Sequence, residues 1–303
     1  MVTAAACITV TLVAWFFAIP GGPSRTSNAA LARELAVLIT GGGAGIGKTT
    51  ALYLASRGWT VFVTVRKQTQ FEAIESEGKV IPVMMDVTND DHAGPAVERV
   101  RSVLKNRDLS LKAVVCNAGI NPEGDVLAKA YMDGTQDKVE QVLADPAVSE
   151  RVFSTNVIGV FRTIRAFLPL LRESESGGRI LIIGSYFGSI AGALGLPHLA
   201  YEASKHALEG IADGMRRSFQ VEQKQNQKNL IGVSLIKPGN IKTAMNPAAG
   251  ETEPEVVAET IEDAIASAHP LPRYYPGTVQ KFPTWLLCAV FAHAPTWLSD
   301  RLL

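Results

Sequence analysis

The chain has 303 residues, 47% of them hydrophobic, with Lys+Arg and Asp+Glu balanced at 29 each. That content supports a sizeable buried core, and zero net charge leaves no basic field to draw nucleic acid or an anionic surface. Cys7, Cys116 and Cys288 lie too far apart to read as a disulfide framework or a metal pair, and the five histidines show no ligand spacing, so neither metal nor nucleic acid is expected.

The first segment in chain order is apolar. Thr3 to Pro20 carries no charge and includes Val10, Leu12, Trp15, Phe16 and Phe17. A spanning helix needs about 17–25 apolar residues, so residues 1–30 read as a membrane anchor plus linker, the linker being Gly21 to Asn28. A cleaved signal peptide is the main rival, but no basic residue precedes the apolar run. Arg25 and Arg33 follow it, which favours a main domain on the cytosolic side; the expected location is membrane-associated, at the endoplasmic reticulum.

From residue 31 to 303 the pattern is that of one domain. Apolar runs at Ala36–Ile39, Thr60–Thr64, Val80–Met84, Leu111–Cys116, Arg179–Ile183 and Leu230–Ile236 suit strands buried on both faces. Helical spacing fills the gaps, at Gly47–Arg57, Val148–Leu171 and Tyr201–Phe219. The alternation predicts an α/β fold, a doubly wound parallel sheet. Glu123 to Glu150 is acidic and reads as an insertion, either a solvated helix or loop or a lid.

The turn after the first strand fits two phosphate-binding spellings. From Thr40 it reads T-G-x-x-x-G-I-G, with Gly41, Gly45, Ile46 and Gly47, a dinucleotide-binding turn. From Gly42 it reads G-x-x-x-x-G-K-T, ending in Lys48 and Thr49, a nucleoside-triphosphate loop. The second spelling needs a carboxylate for magnesium at a nearby strand end, for which Asp86 could be recruited. It leaves the rest of the chain unexplained.

Downstream, Tyr201-Glu202-Ala203-Ser204-Lys205 decides between them. Four residues apart on a helix, the Tyr201 hydroxyl and the Lys205 ammonium share a face. A phenol titrates near 10, so proton transfer at neutral pH asks for roughly 4 kcal/mol of differential stabilisation, and a neighbouring cation supplies part of it. The spacing is common by itself; its setting gives it weight.

With these motifs together the chain resembles the short-chain dehydrogenase/reductase family from residue 35 to about 245, in particular its hydroxysteroid and retinol dehydrogenase branch. Thr40, Gly41, Gly45, Ile46 and Gly47 match the cofactor turn. Asn117-Ala118-Gly119 matches the motif after the fourth strand, and Asn156 the active-site asparagine. Tyr201 and Lys205 match the catalytic pair. Pro238-Gly239-x-Ile241-x-Thr243 matches the nicotinamide-side loop. The resemblance implies a Rossmann fold, a possible homodimer or homotetramer, and hydride transfer between nicotinamide and a carbonyl or alcohol carbon. In it Tyr201 is the general acid/base, Lys205 holds the ribose and lowers the phenol pKa, and Asn156 positions a water. It also implies that Asp86 and Val87 flank the adenine.

A serine should steady the reacting oxygen. The family places it about 12–13 residues before the tyrosine, where Ser189 stands, yet Ser185 follows the fifth strand directly and so faces the ligand crevice. An insertion within Ser189–Gly195 reconciles the two and makes Ser185 the expected catalytic serine. At the end of the second strand stand Arg66 and Lys67, with no carboxylate. An arginine there suits a 2′-phosphate, so NADP is the expected cofactor, with NAD the alternative. The apolar tail from Phe282 to Leu298 reads either as core or subunit contact or as a membrane-facing flap. The resemblance to the hydroxysteroid and retinol dehydrogenase branch, with the N-terminal segment, implies a lipophilic substrate: a steroid, retinoid or fatty ketone. A catalytically idle dinucleotide-binding protein on the same fold is the other reading.

Overall fold

A computed structural model describes residues 35–122, 145–190, 199–226, 231–245 and 250–293. The expected anchor and linker, most of the acidic insertion and residues 294–303 of the tail lie outside the described residues. Within these, no helix is long and apolar enough to cross a membrane.

The described strands are β1 (Leu35–Ile39), β2 (Thr60–Val65), β3 (Ile81–Met84), β4 (Ser110–Cys116), β5 (Arg179–Ile183), β6 (Gly232–Ile236) and β7 (Arg273–Tyr274). They form a parallel sheet in the order β3-β2-β1-β4-β5-β6-β7. The order reverses between β1 and β4, and ligands of such sheets bind outside the carboxyl ends of the strands at that point. Pro82 is tolerated because β3 is an edge strand. The two residues of β7 are too few for a periodic signal, and sequence reading missed them.

Helices cover both faces, as continuous apolar strands require. Ala36 and Leu38 of β1 point to one layer with α3 (Ala93–Arg107), α5 (Gly159–Arg172) and α6 (Leu199–Asn226), where Val100, Leu104, Phe167, Leu171 and Leu208 are buried. Val37 and Ile39 point to the other, with α1 (Gly45–Ser56), α2 (Gln68–Glu77) and α7 (Glu255–Ala266), around Leu54, Trp59, Ile74, Val257 and Ile261. Buried Glu262 of α7 fastens α1 in place: its carboxylate accepts from Tyr53 Oη at 3.1 Å, Trp59 Nε1 at 3.3 Å and Arg57 Nε at 3.4 Å.

The long helix expected over Val148–Leu171 is present, with a π turn in its middle. α4 (Pro146–Phe153), capped by the Asp145 side chain on Ala147 N at 2.8 Å, runs into a π turn at Ser154–Ile158 before α5 begins. Apolar spacing continues through the bulge, so the sequence pattern does not betray it; such bulges are frequent at functional sites. After β7, a hairpin of β8 (Thr278–Val279) and β9 (Phe282–Pro283) turns through Gln280 and Lys281, both left-handed at φ 50° and 68°. The Glu251 carboxylate accepts from both turn amides, at 2.8 and 2.9 Å, which pins a turn that its residue types do not favour. α8 (Thr284–His293) follows and packs on residues 186–188.

Candidate active site

The glycine turn sits at the switch point. Thr40 Oγ1 accepts from Asn117 N and Ala118 N, each at 3.0 Å, and Asn117 Nδ2 donates to Thr40 O at 2.9 Å. The ends of β1 and β4 are thereby stitched together. Gly41 lies at φ 69°, and a Cβ there would come within 2.9 Å of Ala118 Cα, so only glycine fits. Thr64 at the end of β2 closes the turn from the other side, its hydroxyl and carbonyl accepting from Gly41 N and Gly42 N at 3.2 and 3.0 Å.

The N-terminus of α1 has no side-chain cap and no acidic residue in its first turn. Its leading amides therefore face the crevice with the positive end of the helix dipole, an arrangement suited to a phosphate. Gly45 lies at φ 53°, where glycine is favoured, and its would-be Cβ is in ordinary contact with the Thr243 methyl at 3.5 Å. The loop after β6 thus closes over the same cradle. These features fit the pyrophosphate of a dinucleotide. They do not fit the triphosphate spelling: Lys48 Nζ lies 3.8 Å from Glu77 Oε1, at the far end of α2. Asp86, the carboxylate that spelling would recruit, accepts instead from Thr88 N and Oγ1 at 2.8 and 2.7 Å. Burial pushes the Asp86 carboxyl up, but the Thr88 bonds, Arg66 and His92 outweigh it and hold it below the usual range. Arg66 itself is exposed at the mouth of the crevice, and Val87 is buried beneath Gly159 of α5.

Across the switch point stands the second group. Tyr201 and Lys205 lie one turn apart on α6, with the Lys205 ammonium 5.4 Å from the centre of the Tyr201 ring. Lys205 Nζ donates to Ile183 O at 2.8 Å, using one of its three protons. Burial lowers the Lys205 ammonium to about 8. Burial also pushes the Tyr201 phenol up to about 12, opposed by a hydrogen bond with the Ser185 hydroxyl. Both shifts disfavour charge. Near neutrality the resting pair is thus a phenol beside an ammonium.

Ser185 follows β5 as the cap of a short turn at Tyr186–Gly188, accepting from Phe187 N at 3.2 Å. Of the two candidate serines it is the one the structure brings to Tyr201. Ser189 faces elsewhere, its hydroxyl accepting from Lys237 Nζ. Most of the expected insertion within Ser189–Gly195 lies outside the described residues.

Asn156, in the π turn, has its side chain fully engaged by protein partners. Its Oδ1 accepts from Ile120 N at 2.8 Å, while Nδ2 donates to Ile120 O at 3.0 Å and to Ser204 Oγ at 3.1 Å. The side chain is 1% exposed and spent on these partners, so it fixes the strand end after Gly119 to α6. Pro238 and Ile241 are buried, and Gly239 packs tightly on Thr278 and Thr284.

Several contributors escaped sequence reading. Thr64 and Ile120 act through backbone or a single hydroxyl, which leaves no motif. Phe187 stands edge-on to Tyr201, centroids 6.2 Å apart at 82°, and stacks on Tyr186 at 4.2 Å. Ser204, adjoining Lys205 in sequence, could have been found from that adjacency.

Comparison with known proteins agrees with this geometry. The family described as short chain dehydrogenase matches residues 35–254. The mitochondrial D-beta-hydroxybutyrate dehydrogenase of Rattus norvegicus is 25% identical, over 91% of this chain and 86% of its own. The 3-ketodihydrosphingosine reductase of Bacteroides thetaiotaomicron is 31% identical, over 68% and 64%. Among solved structures, a 3-ketoacyl-(acyl-carrier-protein) reductase from Brucella melitensis complexed with NADH has a TM-score of 0.60 at 21% identity, covering 79% of this chain and 95% of that one. The likeness of that structure carries the fold, and the family match carries the class: this chain is an oxidoreductase belonging to the short-chain dehydrogenase family.

Proposed function

We propose that this protein transfers a hydride between a nicotinamide dinucleotide and a carbonyl or alcohol carbon of a lipophilic substrate, with Tyr201 as the acid/base. The observation that carries this reading is the Ser185–Tyr201–Lys205 constellation facing the glycine cradle across the sheet's switch point. Thr40, Gly41, Gly45, Ile46 and Gly47 would hold the pyrophosphate. Asp86 and Val87 would border the adenine side, and Asn117, Gly119 and the Pro238–Thr243 loop the nicotinamide side. The bound cofactor supplies or accepts the hydride.

The protein's own part is proton handling and positioning. With the phenol at about 12, Tyr201 is protonated at rest and is ready to donate to a carbonyl oxygen. The Ser185 hydroxyl steadies the charge that grows on that oxygen. The remaining Lys205 protons are available to the ribose, and its positive charge favours the phenolate that forms after donation. Alcohol oxidation is the reverse and asks for phenolate, so it gains from higher pH.

Cofactor preference rests on Arg66, exposed at the end of β2 with no carboxylate beside it in sequence, which favours a 2′-phosphate and thus NADP. Substrate class rests on the apolar surroundings of Tyr201. Phe187 lies against its ring, Leu199 is exposed two residues before it, and Met245 is exposed beyond Thr243. The named relatives include proteins called a hydroxybutyrate dehydrogenase and a ketodihydrosphingosine reductase, and the aromatic lining favours the larger, more apolar class. Membrane association is proposed on the uncharged stretch Thr3 to Pro20 alone.

The test is a panel of steroid ketones, retinal, long-chain ketones and acetoacetate, each with NADPH and NADH. Tyr201→Phe should lose at least about 10²-fold in kcat on the best of these while still binding cofactor. Undiminished turnover in that variant sinks the mechanism.

A further inference from the structure

Lys237 is among the largest fully buried side chains, with 2% exposure, and no step of the proposed reaction uses it. It stands between the last residue of β6 and Pro238. Its ammonium reaches four other segments. It lies 2.5 Å from Glu209 Oε1 on α6, an ion-pair contact whose angle falls outside hydrogen-bond geometry. It donates to Ser189 Oγ, at the end of the turn that begins with Ser185. It sits 5.7 Å from the centre of the Tyr275 ring and near the Cys288 thiol of α8, whose ionisation burial opposes more than the ammonium favours. Glu209 is shared, its Oε2 accepting from Arg273 Nε at 2.9 Å, and Arg273 also reaches Asp213 at 3.2 Å.

The placement of Glu209 gives this cluster its meaning. Tyr201, Lys205 and Glu209 succeed one another at four-residue intervals, so they form one ridge of α6. The Ser185 turn is pressed onto that ridge: a Cβ on Gly188 would lie 2.9 Å from Lys205 O and 3.1 Å from Glu209 Oε1. Its backbone is tied to the Lys237 segment as well, Gly184 N donating to Ile236 O at 2.8 Å and Tyr186 N to Pro238 O at 3.1 Å. Both ends of the turn are thus held, one by backbone bonds and the other by Lys237 through Ser189.

We propose that Lys237 is a positioning residue: by bridging Ser189 and Glu209 it sets the register of the Ser185 turn against the Tyr201–Lys205 ridge. It acts through Ser185 and touches no reacting atom. This also gives the second serine a use, since Ser189 is the handle by which the turn is gripped. The proposal rests on the catalytic roles of Tyr201 and Ser185 under the proposed function.

Full-length Lys237→Met, Ser189→Ala, Lys237→Met/Glu209→Gln, Ser185→Ala and Tyr201→Phe variants test it. Each is assayed in both directions, with NADPH and the panel ketone that the wild-type protein reduces best and with NADP+ and the corresponding alcohol. Thermal midpoints and the pH dependence of kcat/KM are recorded together. Because the Ser185 bond favours the phenolate, loosening it moves the acid limb of alcohol oxidation, set by the Tyr201 phenol beside a positively charged oxidised cofactor, to higher pH. Lys237→Met is expected to move that limb up by roughly half a unit or more, and to lower kcat about tenfold, less than the 10²–10³-fold loss from removing a stabilising donor outright. Ser189→Ala, which deletes one hydroxyl and leaves the fold intact, should move the limb the same way by less. In Lys237→Met, Glu209 keeps Arg273 but loses its other cation, so the double variant, which removes the excess negative charge, should recover thermal stability but keep the shifted limb.

If the limb moves in Ser185→Ala but in neither Lys237→Met nor Ser189→Ala, the positioning role is wrong. It is equally wrong if restoring the midpoint in the double variant also restores the limb. Turnover retained by Tyr201→Phe, or no turnover of any panel ketone by wild type, strikes the underlying reading instead.

Discussion

Replacing Gly47 by alanine puts two physical effects in opposition. Gly47 is the third residue of α1, and alanine in a helix is favoured over glycine by about 1 kcal/mol. Against that, the new Cβ would lie 2.5 Å from Asn117 Nδ2 and 2.6 Å from Gly41 O. The carbonyl belongs to the left-handed Gly41 turn and cannot swing aside as a side chain could. Asn117 Nδ2 makes bonds of 2.9 Å to Thr40 O and 3.3 Å to Gly41 O, both of which its displacement would break. Two hydrogen bonds are worth about 1 kcal/mol each, and overpacking costs about 1–3 kcal/mol. The net is a loss of about 2–4 kcal/mol, which in a domain of this size lowers Tm by about 5–15 °C. NADPH affinity, read by quenching of protein fluorescence, should fall at least about tenfold because the displaced groups frame the pyrophosphate cradle. Gly210→Ala is the matched control. It lies within α6 with nothing near its would-be Cβ, so only the propensity term remains and Tm should rise by about 2–4 °C. A Gly47→Ala protein that melts and binds NADPH like wild type would refute the account of the turn.

Other expectations follow from single contacts. Ser185→Ala should lower kcat by about 10²–10³ with little change in cofactor binding, while Ser189→Ala should cost far less; equal losses in steady-state assays would reopen the choice of serine. Arg66→Glu should raise the KM for NADPH at least about tenfold and leave NADH little affected, and an unchanged ratio would remove the argument for NADP. Lys112 is buried, with Nζ donating to Ser176 O at 2.8 Å, Ser176 Oγ at 3.0 Å and Gly177 O at 2.8 Å, and burial lowers it to about 8 from its ordinary 10.5. Between those two pH values the unfolded chain binds the proton and the folded one does not, so stability from this group rises with pH across that window. Denaturant melts of Lys112→Met should show a shallower rise from pH 8 to 10.5 than wild type; identical slopes would mean the ammonium is not desolvated.

Features local in sequence were the legible ones. Continuous apolar runs separated by helical spacing gave the doubly wound sheet, because a strand covered on both faces has no polar side to show. The glycine turn and the Tyr201–Lys205 pair were readable because their geometry is set within a few residues, by backbone freedom in one case and by helical pitch in the other. Two spellings of the same glycines were left open by the local sequence; the Tyr201–Lys205 pair far downstream decided between them, and the Lys48 side chain beside Glu77 agrees.

Tertiary structure alone decided the rest. Counting residues back from Tyr201 pointed to Ser189, whereas the end of β5 pointed to Ser185; only the fold shows which hydroxyl meets the phenol, since inserted length shifts a count and leaves a strand end where it was. The helical period predicted one helix through Asn156 and could not reveal the π turn, because a single extra residue leaves the apolar stripe almost unbroken. Thr64 against Gly41, Ile120 against Asn156 and Lys237 against Glu209 join residues separated by 23, 36 and 28 positions. Such contacts carry no period and no motif. They exist because folding brings the carboxyl ends of β1, β2, β4, β5 and β6 to one edge of the sheet, where each strand sets down its own share of the site.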